Sequence, residues 1–248
     1  MDLKEFFRQH PKAAIAFSGG VDSSYLLYAA LQCGADVRAY YVKGAFQPQF
    51  ELDDAQRLAR DIHAPMTVLR ADVLRDETVT ANPANRCYYC KKVVFSSIAQ
   101  AALADGYTVL LDGTNASDDA GNRPGMRALQ ELQVLSPLRL CGLTKPEIRR
   151  LSKEARLFTW DKPAYACLAT RIPTGEKITA EKLSATESAE GELFAMGFTD
   201  FRVRWYAGAA RLQFPAVQLP RVLERREEIL TKLKKYYPAV LLDLEVRG

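Results

Sequence analysis

The stretch AFSGGVDSSYLL, residues 16–27, combines two glycines with hydroxyl and carboxylate side chains where an apolar run passes into a helical pattern. Glycines in such a turn let backbone N–H groups approach an anion closely, and the N-terminus of the following helix adds partial positive charge. A plain strand-to-helix turn with an Asp or Ser cap is the alternative. The Walker lysine and the spaced glycines of the Rossmann fingerprint are absent. The stretch therefore predicts a phosphate-binding loop of another type.

Three cysteines form the second group that could do chemistry. Cys87 and Cys90 lie three residues apart in RCYYCKK, at the predicted start of a helix, and Cys167 lies in ACLATR. On a helix this spacing lets both sulfurs face one ligand, and a helix N-terminus favours thiolates. We expect the other two cysteines, Cys33 and Cys141, to be plain buried residues.

Several kinds of site compete for these thiols. Structural zinc prefers four ligands, and the two histidines of the chain, His10 and His63, lie in ordinary helical contexts. A thioredoxin-type dithiol needs its own βαβ context, which Cys87 lacks. Three thiolates with an open fourth position suit an iron–sulfur cluster.

The elements that must position these groups follow an α/β pattern. Helical segments at 21–33 and 50–62 separate short apolar runs, which predicts right-handed crossovers and a parallel sheet. Ligands bind at the carboxyl ends of such strands, so Ser18, Asp112 and the strand end at Tyr40 and Tyr41 should share one rim. The predicted strands are 13–17, 36–42, 65–71, 107–113 and a short one at 133–138.

The remainder of the chain predicts a smaller second domain. Thr144 and Glu147 stand at capping-box spacing with Pro146 between them, so a helix starts there. Residues 180–196, a hairpin at 201–214, a helix at 219–236 and a strand at 239–246 form an α-β-β-α-β set. We therefore predict a larger α/β domain with the phosphate loop at 1–157, a functional linker at 158–178 and a small α+β domain at 179–248.

Composition limits the partners. The chain has 248 residues and a net charge of +4, which leaves room for an anionic ligand but falls short of a dedicated nucleic-acid surface. We expect a nucleotide-sized ligand, a homo-oligomer and no nucleic-acid partner. No apolar run approaches the ~18–20 residues of a membrane span, so we expect a cytoplasmic protein without a membrane partner.

The pattern S-G-G-x-D-S resembles the signature of the PP-loop ATP pyrophosphatases, which cleave ATP between the α and β phosphates. The resemblance implies a PP-loop, or adenine nucleotide alpha hydrolase-like, fold. It also implies ATP as cofactor and Mg²⁺ held by Asp22, with pyrophosphate on the loop. The residues implied to bind pyrophosphate are Ser18, Gly19, Gly20, Ser23 and Ser24.

The whole chain is similar to the LarE family, on the motifs NPANRCYYCK, LDGTNASDD, RPGMRAL, GLTKPEIR, WDKPAYACLATRIP and FRVR. The resemblance implies an ATP-dependent sulfur transferase for nickel-pincer nucleotide biosynthesis. A carboxylate of a pyridinium biscarboxylate mononucleotide is adenylylated, sulfur attacks, and a thiocarboxylate and AMP result. In one branch the sulfur comes from the cysteine of CLATR. Cys87, Cys90 and Cys167 place this sequence in the other branch, in which three cysteines hold a 4Fe-4S cluster.

The resemblance assigns further residues. Asp112, Gly113 and Thr114 match a loop beside the nucleotide, while Arg171, Arg202 and Arg204 match arginines of the substrate phosphate region. An exposed strand face of solubilising charge is the alternative for the two strand arginines. Asp118 and Asp119 are either magnesium ligands or part of a solvated loop. Lys145 is either a phosphate contact or a surface lysine. Glu190 weakly matches an acid of the family, and we expect it on a solvated helix face. Trp205 and Gln213 depart from the family pattern.

Two other functions are open on the sequence. A tRNA thiolation enzyme also combines a PP-loop with cysteines, but it should present a wide basic surface, whereas the C-terminal part here is mixed in sign. A nucleotide-binding regulatory module would need the phosphate loop and not the thiols. Substitution of Cys167 separates that module from a sulfur transferase.

Overall fold

The computed structural model describes residues 1–118 and 124–247. Its α-helices are α1 (Leu3–Gln9), α2 (Val21–Gln32), α3 (Gln49–Asp61), α4 (Glu77–Thr80), α5 (Arg86–Ala104), α6 (Pro124–Glu131), α7 (Pro137–Leu140), α8 (Lys145–Glu154), α9 (Ala180–Ala195), α10 (Leu219–Glu224) and α11 (Arg226–Leu233). Its strands are β1 (Lys12–Ala16), β2 (Asp36–Lys43), β3 (Met66–Arg70), β4 (Leu110–Leu111), β5 (Arg202–Tyr206), β6 (Ala209–Gln213) and β7 (Val240–Leu242). Short 3-10 helices cover Val73–Arg75, Phe158–Asp161, Leu168–Arg171 and Ala216–Gln218.

The chain divides into two compact units. The first comprises Met1–Val73 and Asn85–Tyr165, and the second comprises Leu74–Ala84 and Ala166–Gly248. The domain boundaries drawn from the sequence, after residues 157 and 178, stay a prediction. None of the helices within the described ranges is long and apolar enough to cross a membrane.

The first unit is built on a parallel sheet in the order β3-β2-β1-β4. Successive residues of β1 point to opposite faces, so Ile15 packs in one buried cluster and Ala14 in another. Leu26 and Leu27 of α2 are fully buried, and burial of each side chain stabilises the fold by about 1.5–3 kcal/mol. The α/β fold with a parallel sheet is confirmed, and α2, α3 and α8 lie where the sequence predicts them.

Two strands of the first unit are shorter than predicted, and so is the strand predicted at 239–246 in the second unit, which is confined to Val240–Leu242. The strand predicted at 107–113 is confined to Leu110–Leu111, and the one predicted at 133–138 is only a bridge between Leu111 and Leu135. The reason lies in Asp112, whose carboxylate turns back to accept from Thr114 and from Ser136, and in Pro137, which begins α7. The chain therefore leaves the sheet at Asp112 and forms a loop at the carboxyl edge.

The second unit packs α9, α10 and α11 around a three-stranded sheet in the order β5-β6-β7. The hairpin prediction is confirmed, since β5 and β6 are antiparallel neighbours. The single helix predicted at 219–236 is wrong, because the chain breaks at Arg225 between α10 and α11. The Arg225 guanidinium donates to the Met196 carbonyl at 2.7 Å and pairs with Glu228, which holds the break in place.

Candidate functional site

The glycine loop after β1 is shaped by its own hydroxyls and by close packing against α3. Ser18 and Ser23 share a hydrogen bond of 3.0 Å between their Oγ atoms, and the Gly20 N–H donates to Ser18 Oγ at 3.3 Å. Gly19 has a φ of +72°, and a Cβ there would lie 3.0 Å from the Cβ of Ala55. Glycine satisfies both the left-handed backbone and this close contact. The loop therefore presents backbone at the start of α2.

A cavity of about 300 Å³ opens beside this loop, at the carboxyl ends of β1 and β4, and its size lies at the lower end of the range for small-molecule sites. Its lining includes Ser18, Gly20, Asp22, Ser23, Lys91, Phe95, Asp112, Gly113, Thr114 and Asp118. The structure thus brings together most residues predicted for pyrophosphate and nucleotide. Ser24 is fully buried, and its Oγ has no hydrogen-bond partner among the described residues. Asp119 lies outside the described residues.

The loop after β4 is organised by Asp112. Its Oδ2 accepts from the Thr114 hydroxyl at 2.5 Å, and its Oδ1 accepts from the Ser136 hydroxyl at 2.6 Å. A Cβ on Gly113 would lie 2.9 Å from the backbone nitrogen of Ser23, so this loop touches the phosphate loop backbone to backbone. Asp112 therefore acts on the cavity by positioning Gly113. Ser136 was not predicted, because nothing in its local sequence marks this contact.

Asp22 carries the main ionic contact of the phosphate loop. Its Oδ2 accepts from Lys145 Nζ at 2.6 Å, while its Oδ1 is buried without a hydrogen-bond partner in the described part of the chain. Burial raises the pKa of Asp22, and the Lys145 ammonium acts in the opposite direction. Lys145 is fixed by the capping box of α8 and by its own N–H, which donates to Ser117 Oγ.

A second cavity of about 200 Å³ also lies against the phosphate loop. It shares Ser18, Gly20 and Asp22 with the first, and Lys145 and Lys162 line it. Lys145 pairs with Asp22, and Lys162 pairs with Glu51, which also lines this cavity. The sequence marked Lys145 only as a candidate and gave no signal for Lys162.

Two basic residues hold the segment that lines this second cavity. Lys162 Nζ pairs with Asp54 at 2.7 Å and with Glu51 at 3.5 Å, both on α3. Arg149 of α8 donates to the carbonyls of Trp160 and Lys162 at 2.6 and 2.9 Å. The segment at 158–163 is therefore held by one helix on each side.

The thiol pair lies on the first turn of α5. Cys87 is exposed and Cys90 is half-buried. The next residue, Lys91, lines the 300 Å³ cavity, and it interacts electrostatically with both thiols and with Asp112 and Asp118. Burial lowers the pKa of Lys91. The sequence did not predict Lys91 as a site residue, because only the cysteines of this segment matched a recognisable pattern.

Cys167 belongs to the second unit, where it is half-buried at the start of the 3-10 helix Leu168–Arg171. Within the described ranges, no three or more His, Cys, Asp or Glu side chains form a group that could hold a metal ion. Two soft ligands on one turn of α5 fit part of a cluster donor set. The prediction that Cys33 is buried is wrong, because it caps the exposed end of α2.

Asp22 is the candidate ligand for Mg²⁺. The buried Oδ1 of Asp22 is an orphaned carboxylate oxygen beside a phosphate loop, and carboxylate together with phosphate oxygens suits Mg²⁺. Asp118 lines the same cavity, with its Oδ2 accepting from the Asn115 N–H at 2.9 Å. Asp22 is therefore the residue that fits the metal.

The second unit contains a buried arginine group. Arg171 Nε donates to Glu190 Oε1 at 2.7 Å and Nη2 to Oε2 at 3.3 Å, with both side chains at most 2% exposed. Arg204 donates to the Thr170 carbonyl and to Gln213. Burial, followed by the nearby charge of Arg171, lowers the pKa of Arg202 to about 10. The three predicted arginines thus lie together around one carboxylate.

Two expectations about this unit are corrected. Glu190 is not on a solvated helix face, since it is 1% exposed and also accepts from the Val203 N–H. Arg202 is 5% exposed, so β5 does not present a plain solubilising face at that position. Gln213, a departure from the family pattern, accepts from Arg204 and donates to Asp243 at 2.8 Å.

No protein-family model matches the chain. An uncharacterized protein of Synechocystis sp. is 36% identical over 249 residues, covering 98% of this chain and 92% of that protein. The pyridinium-3,5-bisthiocarboxylic acid mononucleotide synthase of Lactiplantibacillus plantarum is 30% identical over 236 residues, covering 94% and 86%. The tRNA-specific 2-thiouridylase of Thermotoga neapolitana is 25% identical over 189 residues, covering 58% and 52%.

The parallel sheet and the glycine loop between β1 and α2 define a PP-loop, or adenine nucleotide alpha hydrolase-like, protein. The Synechocystis and Lactiplantibacillus proteins match nearly the full length of the chain. The chain belongs to the LarE family, that of the Lactiplantibacillus synthase.

Proposed function

We propose that this protein is an ATP-dependent sulfur transferase that converts a carboxylate of pyridinium-3,5-biscarboxylic acid mononucleotide to a thiocarboxylate. The observation that carries the proposal is the likeness to a synthase of the corresponding bisthiocarboxylic acid over 94% of the chain. The phosphate-loop cavity and the thiols next to it supply the two functions that such a reaction needs.

The first step is adenylylation. A carboxylate oxygen of the substrate attacks the α-phosphorus of ATP, the bond from that phosphorus to the α–β bridging oxygen breaks, and pyrophosphate leaves with the electron pair. Backbone N–H groups of the loop and the N-terminus of α2 stabilise the leaving charge. Asp22 would hold Mg²⁺ through its Oδ1, and the metal would supply neutralisation of the phosphate oxygens.

The second step is sulfur transfer. A sulfur nucleophile attacks the acyl carbon, the bond from that carbon to the AMP oxygen breaks, and AMP leaves. Cys87, Cys90 and Cys167 are the candidate sulfur-handling residues. We propose that these three thiols would hold a 4Fe-4S cluster, which would supply the sulfur-carrying chemistry. Direct donation of the Cys167 sulfur, which leaves dehydroalanine at that position, is the competing route.

The arginine group of the second unit is proposed to bind the phosphate of the substrate mononucleotide. Arg171, Arg202 and Arg204 lie around the buried Glu190, and Arg202 also lies 3.9 Å from Asp200, so three guanidinium groups face these two carboxylates. Bidentate guanidinium groups suit phosphate geometry. Glu190 fixes the orientation of Arg171, whereas Arg202 and Arg204 are the proposed ligands.

The test is purification without oxygen, reconstitution with iron and sulfide, and incubation with ATP and the biscarboxylate nucleotide. We expect iron bound to the chain, together with AMP and thiocarboxylate in equal amounts. The C167A variant should still bind ATP but form no thiocarboxylate, while C33A, which removes a thiol at the end of α2, should behave as the wild type. AMP release without thiocarboxylate would contradict the sulfur-transfer proposal, and absence of iron would contradict the cluster.

A tRNA thiolation activity is the second candidate, because a tRNA-specific 2-thiouridylase matches 58% of the chain. Its test is a mobility shift with unmodified tRNA across a salt series, since a tRNA enzyme loses affinity steeply with salt. We expect no salt-dependent shift.

A further inference from the structure

The acids of the 300 Å³ cavity already have partners inside the protein. Asp22 pairs with Lys145, Asp112 accepts from Thr114 and Ser136, and Asp118 accepts from the Asn115 N–H. These contacts hold the loops in place, and Asp112 and Asp118 attract the Lys91 ammonium only at longer range.

Lys91 is the cation in question. It lies on α5, its side chain lines the cavity, and its stem passes close to Gly125 at the start of α6. Within residues 1–118 and 124–247, no carboxylate lies within ion-pair distance of the Lys91 ammonium, which is 5.8 Å from the centre of the Phe95 ring. Asp112 and Asp118 act on it only at longer range, so this half-buried ammonium beside loop N–H groups and hydroxyls favours an anionic ligand.

The two cavities offer different cations to a nucleotide that lies across the phosphate loop. Ser18, Gly20 and Asp22 form the wall that the cavities share. Lys91 lies in the larger cavity, whereas Lys145 and Lys162 line the smaller one together with their acidic partners Asp22 and Glu51. If the bond between the α- and β-phosphates of ATP lies over this shared wall, the α-phosphate lies next to Lys91.

We propose that Lys91 binds the nucleotide phosphate that stays with AMP, on the side of the cavity next to the thiols of α5. This assignment rests on the proposed ATP chemistry and adds a residue to it. The ammonium then holds the α-phosphate while the bond to pyrophosphate breaks, and it stabilises AMP as the leaving group when sulfur attacks. Lys145 serves the pyrophosphate side.

Equilibrium binding of AMP and of pyrophosphate, each with Mg²⁺, tests this division. K91M should weaken AMP binding by about 10-fold or more, as expected for loss of one charge-assisted hydrogen bond, and change pyrophosphate binding by less than about 3-fold. K145M should show the reverse pattern. K91R should restore most AMP affinity, and K4M, which removes an exposed lysine of α1, is the matched control. K91Q replaces K91M if the latter unfolds in a thermal scan.

Nicotinic acid mononucleotide is the probe for binding of the phosphate of the substrate mononucleotide. Its binding should be unchanged in K91M. Unchanged AMP affinity in K91M, equal loss of AMP and pyrophosphate affinity, or loss for nicotinic acid mononucleotide alone would each overturn the assignment. The proposed function fails separately, on the absence of thiocarboxylate from a chain that splits ATP.

Discussion

Removing Glu190 should destabilise the second unit, because Glu190 is the buried carboxylate partner of the arginine group. The Glu190 carboxylate accepts two hydrogen bonds from Arg171 and one from the Val203 N–H, in surroundings where both charged side chains are at most 2% exposed. Taking away one partner of such a pair leaves a buried charge without compensation, which costs about 3–5 kcal/mol. We expect E190A to lower the free energy of unfolding of this unit by that amount.

The assay is urea unfolding followed by tryptophan fluorescence. The chain has two tryptophans, of which Trp205 is on β5, so a W160F background makes the signal specific to the second unit. With a slope of ~1–3 kcal/mol per molar urea, the E190A midpoint should fall by roughly 1–5 M. The double variant R171M/E190L should lose less than E190A, because it removes both charges. A loss below about 1 kcal/mol in E190A would refute the view that this pair is buried and coupled.

Other predictions follow from particular contacts. G113A should weaken ATP binding by about tenfold or more in calorimetry, because its Cβ would lie 2.9 Å from the Ser23 nitrogen, whereas G191A, with open space around it, should not. K162M should increase hydrogen exchange at 158–163, because the links to Glu51 and Asp54 are lost, while K4M on α1 should not; equal exchange in both would contradict this role. Tyr88, Arg127 and Lys92 lower the pKa of Glu131 to about 2, so its stabilising contribution holds above its ordinary pKa of 4.5 and is lost as pH falls through about 2. In acid unfolding curves, the stability of E131Q should therefore change less between those two pH values than the stability of the wild type does.

The sequence predicts well what is local. The phosphate loop, α2 and the capping box of α8 depend on residues within a few positions of one another, so their patterns are visible in the chain. The role of Asp112 depends on Ser136, which is 24 residues away, and no local signal marks that pair.

Buried charge is the main feature that the sequence hides. Glu190 lies on a helix and is of a residue type that is usually exposed, yet its partner Arg171 lies 19 residues earlier, at the end of a short 3-10 helix. Lys162 likewise pairs with acids on α3 that lie more than a hundred positions before it in the sequence. The break at Arg225 has the same origin, since a contact with the distant Met196 carbonyl overrides a continuous helical pattern.

The central claim is that a substrate carboxylate is joined to AMP before sulfur replaces its oxygen. It is tested most directly with substrate whose carboxylates carry a heavy oxygen isotope, followed by mass spectrometry of the AMP released. We predict that each AMP carries one heavy oxygen, because the carboxylate oxygen stays on the α-phosphorus when the acyl bond breaks. AMP without the label, formed alongside thiocarboxylate, would contradict the account.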